Sequence, residues 1–220
     1  QLLLGIALGA SLLLAPGLAS QAVAIDGTLP LLFAIAREFL VGLVWGLVFQ
    51  IFYYMLFLAG DLIDIGAGLS MAKVFDRDSN IQMSLSGNIF QLIFIFYLFT
   101  TNSHLALIRM AADSFRIVGL GEALAGVRLS AFVLDSFLNA FSLATRLAMP
   151  FVAATMTLEF TMGVLMKLVP QIHVFAIHFQ VKVLLGLGLL YLFSAPMSVF
   201  IDNYMDVIFR QLEEVLFAMG

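Results

Sequence analysis

The run FLVGLVWGLVFQIFYYMLFLA, which covers residues Phe39–Ala59, contains no charged side chain. An α-helix needs about 20 predominantly apolar residues to cross a hydrocarbon core that is about 30 Å thick. The run is therefore long enough to cross a membrane as a single helix. It lacks the alternation of apolar and polar residues found in the strands of membrane barrels, so a helix is favoured over a strand.

The rest of the chain has the same character. Its 220 residues are 63% hydrophobic and 11% charged, whereas soluble domains average about 25% charged residues. The sequence therefore predicts an all-α integral membrane protein. Four other apolar runs accompany the first: Gln1–Ala24, Ile89–Ile108, Ala131–Val169 and Val174–Ile201.

Two prolines and a polar stretch set the expected ends of these runs. The run Ala131–Val169 is too long for one straight span, and we expect Pro150 to break it. We expect the run Val174–Ile201 to end near Pro196. Charged residues from Gly60 onward predict a polar connection as far as Asn88.

Several classes of function are disfavoured by the composition. The ten basic residues are scattered, so no nucleic-acid-binding patch is expected. The chain has no cysteine, which excludes disulfides and thiol chemistry. The histidines, His104, His173 and His178, lack the spacing of a zinc site. We find no nucleophile or phosphate-loop motif, and we expect neither enzymatic activity nor a cofactor.

Three charged residues lie within or beside apolar runs, namely Glu159, Lys167 and Lys182. Ionisable groups at membrane depth usually face a cavity or a partner. One interpretation is a lined conduit or a proton-coupled site. The other, which we favour, is ion pairing between helices or subunits that fixes their packing. Basic residues divide almost evenly between the two sides, so the positive-inside rule leaves the orientation open.

Two further patterns predict helix packing. Gly42 and Gly46 are spaced like the small residues that let membrane helices approach closely, although glycine is also tolerated in any membrane helix. The C-terminal tail after Asp202 has the pattern of an amphipathic helix. Its apolar face comprises Tyr204, Ile208, Leu212 and Leu216.

Three stretches together resemble the FliR family of type III secretion export-gate subunits, which has SctT-like relatives in injectisomes. They are GDLIDIGAGLSMAKVFD (Gly60–Asp76), TNSHLALIRMAADSF (Thr101–Phe115) and LMKLVPQIHVFAIHFQVKVLLGL (Leu165–Leu187). Their order and spacing agree with the family from about Gly60 to Pro196. The family has one more apolar segment before the run at Gln1, which implies that the N-terminus is truncated.

The resemblance implies a particular architecture. Residues 1–130 would form a FliP-like part, and residues 131–220 a FliQ-like hairpin with the amphipathic tail. Such long, kinked hairpins pack in a helical ring of five FliP, four FliQ and one copy of this chain, with FlhB around its cytoplasmic mouth. The implied location is the bacterial inner membrane, in the flagellar basal body, with much of the ring on the periplasmic side.

The resemblance also implies a function, which is to form and seal the channel for unfolded flagellar proteins. A small-solute transporter or channel is the alternative, because Pro150 and the intramembrane charges are also typical of transporters. A hypothetical channel plug consists of Phe115, Arg116, Ile117, Val118, Gly119, Leu120 and Gly121. A hypothetical assembly and gating bend consists of Lys167, Pro170, Gln171, His173, Phe175 and Lys182.

Overall fold

The computed structural model describes residues 27–71, 84–117, 127–168 and 174–219. Within these ranges the chain is helical and has no strand, as the all-α prediction requires. The α-helices are α1 (Thr28–Ala67), α2 (Leu85–Thr100), α3 (Ser103–Ile117), α4 (Val127–Leu168) and α5 (Val174–Met219). A short 3-10 helix, Leu69–Met71, follows α1.

Helix α1 begins and ends where the local sequence allows it to. Pro30 lies in its first turn, where the missing N–H would have no intrahelical partner. The helix ends before Gly68, which has a φ of 74°. Glycine adopts this left-handed conformation without the steric penalty of a Cβ. The predicted polar connection from Gly60 is therefore wrong at its start, because the helix continues through Asp61 and Asp64.

Helix α2 has a well-defined start, and it ends earlier than the apolar pattern predicts. The side chain of Ser84 caps it by accepting a hydrogen bond from the Gly87 amide at 3.0 Å. The apolar run Ile89–Ile108 predicted one segment, but the chain breaks at Thr101 and Asn102. Asn102 has a φ of 58°, a conformation that asparagine tolerates better than most residues.

The two internal prolines do not interrupt their helices. Helix α4 continues through Pro150, and helix α5 continues through Pro196 to Met219. The predictions of a break at Pro150 and of an end near Pro196 are therefore wrong. Proline removes one backbone donor, but membrane helices often tolerate this loss because the freed carbonyl finds another partner.

The described helices contribute to two compact units. Of the described residues, unit 1 comprises 27–49, 102–117, 127–136 and 208–219, and unit 2 comprises 50–71, 84–101, 137–168 and 174–207. Both units draw on segments that are distant in sequence. The expected division into a FliP-like part (1–130) and a FliQ-like part (131–220) rests on family resemblance and stays a prediction.

An aromatic cluster around Tyr204 forms part of the core of unit 2. The Tyr204 ring makes edge contacts with Phe52 and Phe94 at centroid distances of 5.7 and 6.4 Å, and it stacks with Phe200 at 5.6 Å. Its hydroxyl donates to the Phe52 carbonyl oxygen at 2.7 Å. The cluster thus joins α1, α2 and α5, and the buried Tyr204 hydroxyl has a hydrogen-bond partner.

A polar contact is buried in unit 1. The Ser136 hydroxyl donates to Gln211 Oε1 at 2.8 Å, and Gln211 Nε2 donates to Glu214 at 3.0 Å. The contact joins α4 to the last part of α5. The predicted apolar face of the C-terminal tail is confirmed, since its residues are all at most 2% exposed: Tyr204, Ile208, Leu212 and Leu216.

Candidate functional site

The C-terminal part of α1, residues 57–67, makes very close backbone contacts in unit 2. A Cβ built on Gly60 would lie 2.1 Å from the Gly87 amide nitrogen and 2.3 Å from its Cα. A Cβ built on Gly87 would lie 2.8 Å from the Phe57 carbonyl oxygen. The backbones of α1 and α2 are therefore in direct contact, and neither glycine can carry a side chain without moving a helix.

Asp64 lies one turn after Gly60 and ties the same two helices together. Its carboxylate accepts hydrogen bonds from the Ser84 hydroxyl at 2.7 Å and from the Ser86 hydroxyl at 2.5 Å. The Ser86 amide also donates to both carboxylate oxygens at 3.3 Å. Asp64 is 1% exposed and both serines are fully buried. A carboxylate of α1 thus occupies the N-terminus of α2, where the helix dipole favours negative charge.

Two more close contacts bring α4 and α5 against the same part of α1. A Cβ on Gly66 would lie 2.9 Å from Thr155 Oγ1 on α4. A Cβ on Gly186 of α5 would lie 2.4 Å from the Cβ of Ala67. Small residues therefore let three helices meet α1 within two turns, as is common where membrane helices approach closely.

The ion pair between Glu159 and Lys182 joins α4 and α5. The Lys182 Nζ lies 2.6 Å from Glu159 Oε1. The aliphatic stem of Lys182 runs beside Gly68, with its Cδ 3.5 Å from a Cβ built there. The Lys182 side chain is 16% exposed and that of Glu159 is 49% exposed. One of the two interpretations of these charges is ion pairing between helices, and the contact between Lys182 and Glu159 is such a pair.

The residues of the predicted bend are only partly described. Lys167 is exposed in the last turn of α4, and Lys182 forms the ion pair with Glu159. Phe175 lies in the first turn of α5. The remaining bend residues, Pro170, Gln171 and His173, lie outside the described residues.

The residues of the predicted plug are also divided. Phe115, Arg116 and Ile117 form the last turn of α3, so this part is helical. The other four residues lie outside the described residues: Val118, Gly119, Leu120 and Gly121.

Sequence reasoning did not single out Gly60, Asp64 or Ala67, although a signal was present. Their spacing of i, i+4 and i+7 places them on one face of a helix. The charges of Asp61 and Asp64 hide this pattern, because charged residues predict the end of an apolar run. Gly42 and Gly46, which carried the packing prediction, have no described atom within 4 Å of a Cβ built on them.

Three described helices are long and apolar enough to cross a membrane, with segments Thr28–Ala67, Leu129–Leu168 and Ile177–Ala218. The bent pair of α2 and α3 would make a fourth span. Many large apolar side chains on these helices are exposed, including Phe160 at 76% and Tyr191 at 83%. Among the described residues no group of acidic or histidine side chains is arranged to hold a metal ion. These features define a helical integral membrane protein.

Comparison with known proteins identifies the family. Residues 1–208 match the family described as bacterial export proteins, family 1. The chain belongs to this family, and the resemblance to FliR proteins predicted from the sequence is confirmed.

Three relatives, each named flagellar biosynthetic protein FliR, show the extent of the similarity. The protein of Buchnera aphidicola (subspecies Acyrthosiphon pisum) is 28% identical over 172 residues, covering 78% of this chain and 67% of the relative. That of Escherichia coli is 26% identical over 217 residues, covering 97% and 81%. That of Bacillus subtilis is 24% identical over 187 residues, covering 84% and 72%.

Proposed function

We propose that this chain is a subunit of the flagellar type III export gate in the bacterial inner membrane. It would associate with FliP, FliQ and FlhB, with one copy of this chain for five FliP and four FliQ. Together these proteins would form and seal the channel through which unfolded flagellar proteins cross the membrane. The family membership and the names of the relatives support this proposal.

The length of the apolar helices is the structural observation that best supports an assembly. Helices α1, α4 and α5 contain 40, 42 and 46 residues. At about 1.5 Å per residue they are about 60 to 70 Å long, roughly twice the thickness of a hydrocarbon core.

Exposed apolar side chains occur near both ends of these helices. On α1 they extend from Leu29 to Ile65, and on α5 from Ile177 to Phe217. Residues so far apart cannot all lie in the hydrocarbon core unless the helix is strongly tilted. Sister proteins in a ring would cover the apolar surface that the lipid does not reach. Such packing would also explain why the positive-inside rule leaves the orientation open.

Purification of the tagged full-length protein from its native cells in mild detergent tests the assembly. Intact-complex mass measurement should then give a particle several times heavier than one chain, containing two other small membrane proteins. A monomer or simple homo-oligomer that moves a small solute across vesicle membranes would instead support a transporter.

The predicted plug has its own test in the assembled gate. Deletion of Val118–Gly121 should raise ion leakage through the closed gate if this segment contributes to sealing. Deletion of an equally long segment, residues 217–220, serves as a control. Equal leakage from the two deletions would contradict a sealing role for the segment.

The predicted bend is tested by substitution. The variants Lys167→Ala, Gln171→Ala and Lys182→Ala should reduce assembly or secretion if the bend is an assembly and gating element. Assembly is read from the mass of the complex, and secretion from flagellar protein in the medium. Normal assembly and normal secretion in all three variants would rule out the assembly and gating role.

A further inference from the structure

The buried carboxylate of Asp64 is an unusual feature for an apolar helix that crosses a membrane. Charged and ionisable groups in such segments are expensive to bury, and they normally serve a specific purpose. Asp64 lies in the candidate span Thr28–Ala67 and is 1% exposed. Channel formation by the assembled gate does not by itself explain why an acid should lie at this position.

In the part of the chain that the structure describes, the surroundings of Asp64 supply hydrogen-bond donors and no cation. Among the residues that the structure describes, its hydrogen-bond donors are the hydroxyls of Ser84 and Ser86 and the amide of Ser86. Both carboxylate oxygens act as acceptors in this arrangement. An asparagine of the same shape would turn its NH2 group towards the Ser86 amide, which donates to both carboxylate oxygens, so two acceptor oxygens suit this arrangement better than a side-chain amide.

The donors lie at the start of α2. The position of this turn also decides whether the backbones of α1 and α2 can approach each other at Gly60 and Gly87. Ser84 caps α2, and Ser86 precedes Gly87, the residue in contact with Gly60. The carboxylate therefore holds the start of α2 at the position where the two glycines touch. A shift of α2 by one residue would replace Gly87 with a residue that carries a Cβ.

We propose that Asp64 is a positioning residue that, through Ser84 and Ser86, locks the start of α2 onto α1 in a single register. The lock acts locally in unit 2 and is a property of the chain's own fold. It goes beyond the proposed export function and does not depend on it. Its loss should open the contact between α1 and α2 while the remainder of the fold stays closed.

The absence of cysteine from the chain allows a direct test by thiol protection. Ile63, beside Asp64, is 1% exposed, and Val215, in unit 1, is fully buried. A single cysteine at either position in the purified full-length complex is treated with N-ethylmaleimide. The rate is divided by that of the same protein denatured in detergent. Because local opening exposes the thiol, the rate at Ile63→Cys reports on the lock and that at Val215→Cys on general unfolding.

We expect Asp64→Asn to speed labelling of Ile63→Cys by about tenfold, since a buried hydrogen-bond donor left without an acceptor weakens a contact by about that factor. Labelling of Val215→Cys should stay slow. A double variant that combines Asp64→Ser with Ser86→Asp places the carboxylate on α2 and a hydroxyl on α1. It should restore the protection of the Ile63→Cys thiol from labelling. Asp202→Asn, an exposed aspartate on α5, is the matched control and should change neither rate.

Three outcomes would overturn the proposal. One is an unchanged rate at Ile63→Cys in the Asp64→Asn protein. The second is an equal increase at Val215→Cys, which would show a general loss of the fold. The third is a double variant that is labelled as fast as Asp64→Asn, because the carboxylate would then have no pairing role. Secretion of flagellar protein does not enter these readouts, so a failure of the proposed function would be seen separately.

Discussion

Replacement of Gly186 by alanine should destabilise the protein by forcing α5 away from α1. The added Cβ would lie 2.4 Å from the Cβ of Ala67 and 3.3 Å from its Cα. Non-bonded carbon atoms rest about 3.5 to 4.0 Å apart, so the helices must separate by about 1 Å or more. Overpacking of this kind costs about 1 to 3 kcal/mol.

The same substitution two residues away provides the matched control. A Cβ on Gly188 meets no described atom within 4 Å, so Gly188→Ala should only gain helix propensity, up to about 1 kcal/mol. We expect Gly186→Ala to be about 1 to 3 kcal/mol less stable than Gly188→Ala, because only the first substitution overpacks a contact.

Denaturant or thermal unfolding of the purified protein in mild detergent, followed by circular dichroism, measures the difference between these variants. The second substitution Ala67→Gly removes the atom closest to the new methyl group and should restore much of the lost stability of Gly186→Ala. Equal stability of the Gly186→Ala and Gly188→Ala proteins would refute the contact. So would a failure of Ala67→Gly to compensate, since the damage would then have another source.

Three smaller effects can be measured by the same unfolding assay. Tyr204→Phe keeps the aromatic packing but removes the hydrogen bond to the Phe52 carbonyl, and it should cost about 1 kcal/mol; no change would show that this bond adds nothing. Gly68→Ala places a Cβ at a φ of 74° and should cost about 1 to 2 kcal/mol, a loss that would be absent if the turn relaxed freely. Lys182→Met keeps the aliphatic stem beside Gly68 but breaks the pair with the half-exposed Glu159, so a loss of at most about 1 kcal/mol is expected; a much larger loss would mean that the pair is shielded from solvent.

The fold class could be predicted from the sequence because it depends on composition. Uninterrupted apolar runs such as Phe39–Ala59 exclude most alternatives before any contact is known. The buried face of the C-terminal tail was also predictable, since Tyr204, Ile208 and Leu212 recur at helical spacing. These predictions use only local periodicity and solvent preference.

The closest contacts could not be predicted because each depends on two distant segments. Gly60 meets Gly87, and Ala67 meets Gly186, across separations of 27 and 119 residues. Nothing in the local sequence distinguishes these glycines from Gly42, which is open in the described part of this chain. The ends of the helices also differ from the predicted ones, because tertiary packing keeps the chain helical through Asp61, Pro150 and Pro196.

The persistence of α4 and α5 through proline has a mechanical consequence. Pro150 and Pro196 have no backbone N–H. The carbonyl oxygens one turn before them, those of Arg146 and Leu192, therefore lack their usual backbone donors. One missing backbone hydrogen bond favours bending of each helix at its proline, while the close contacts of Gly66 and Gly186 hold α4 and α5 against α1. We expect a force applied along α4 or α5 to bend the helix at its proline. The contacts with α1 near Ala67 should then stay together.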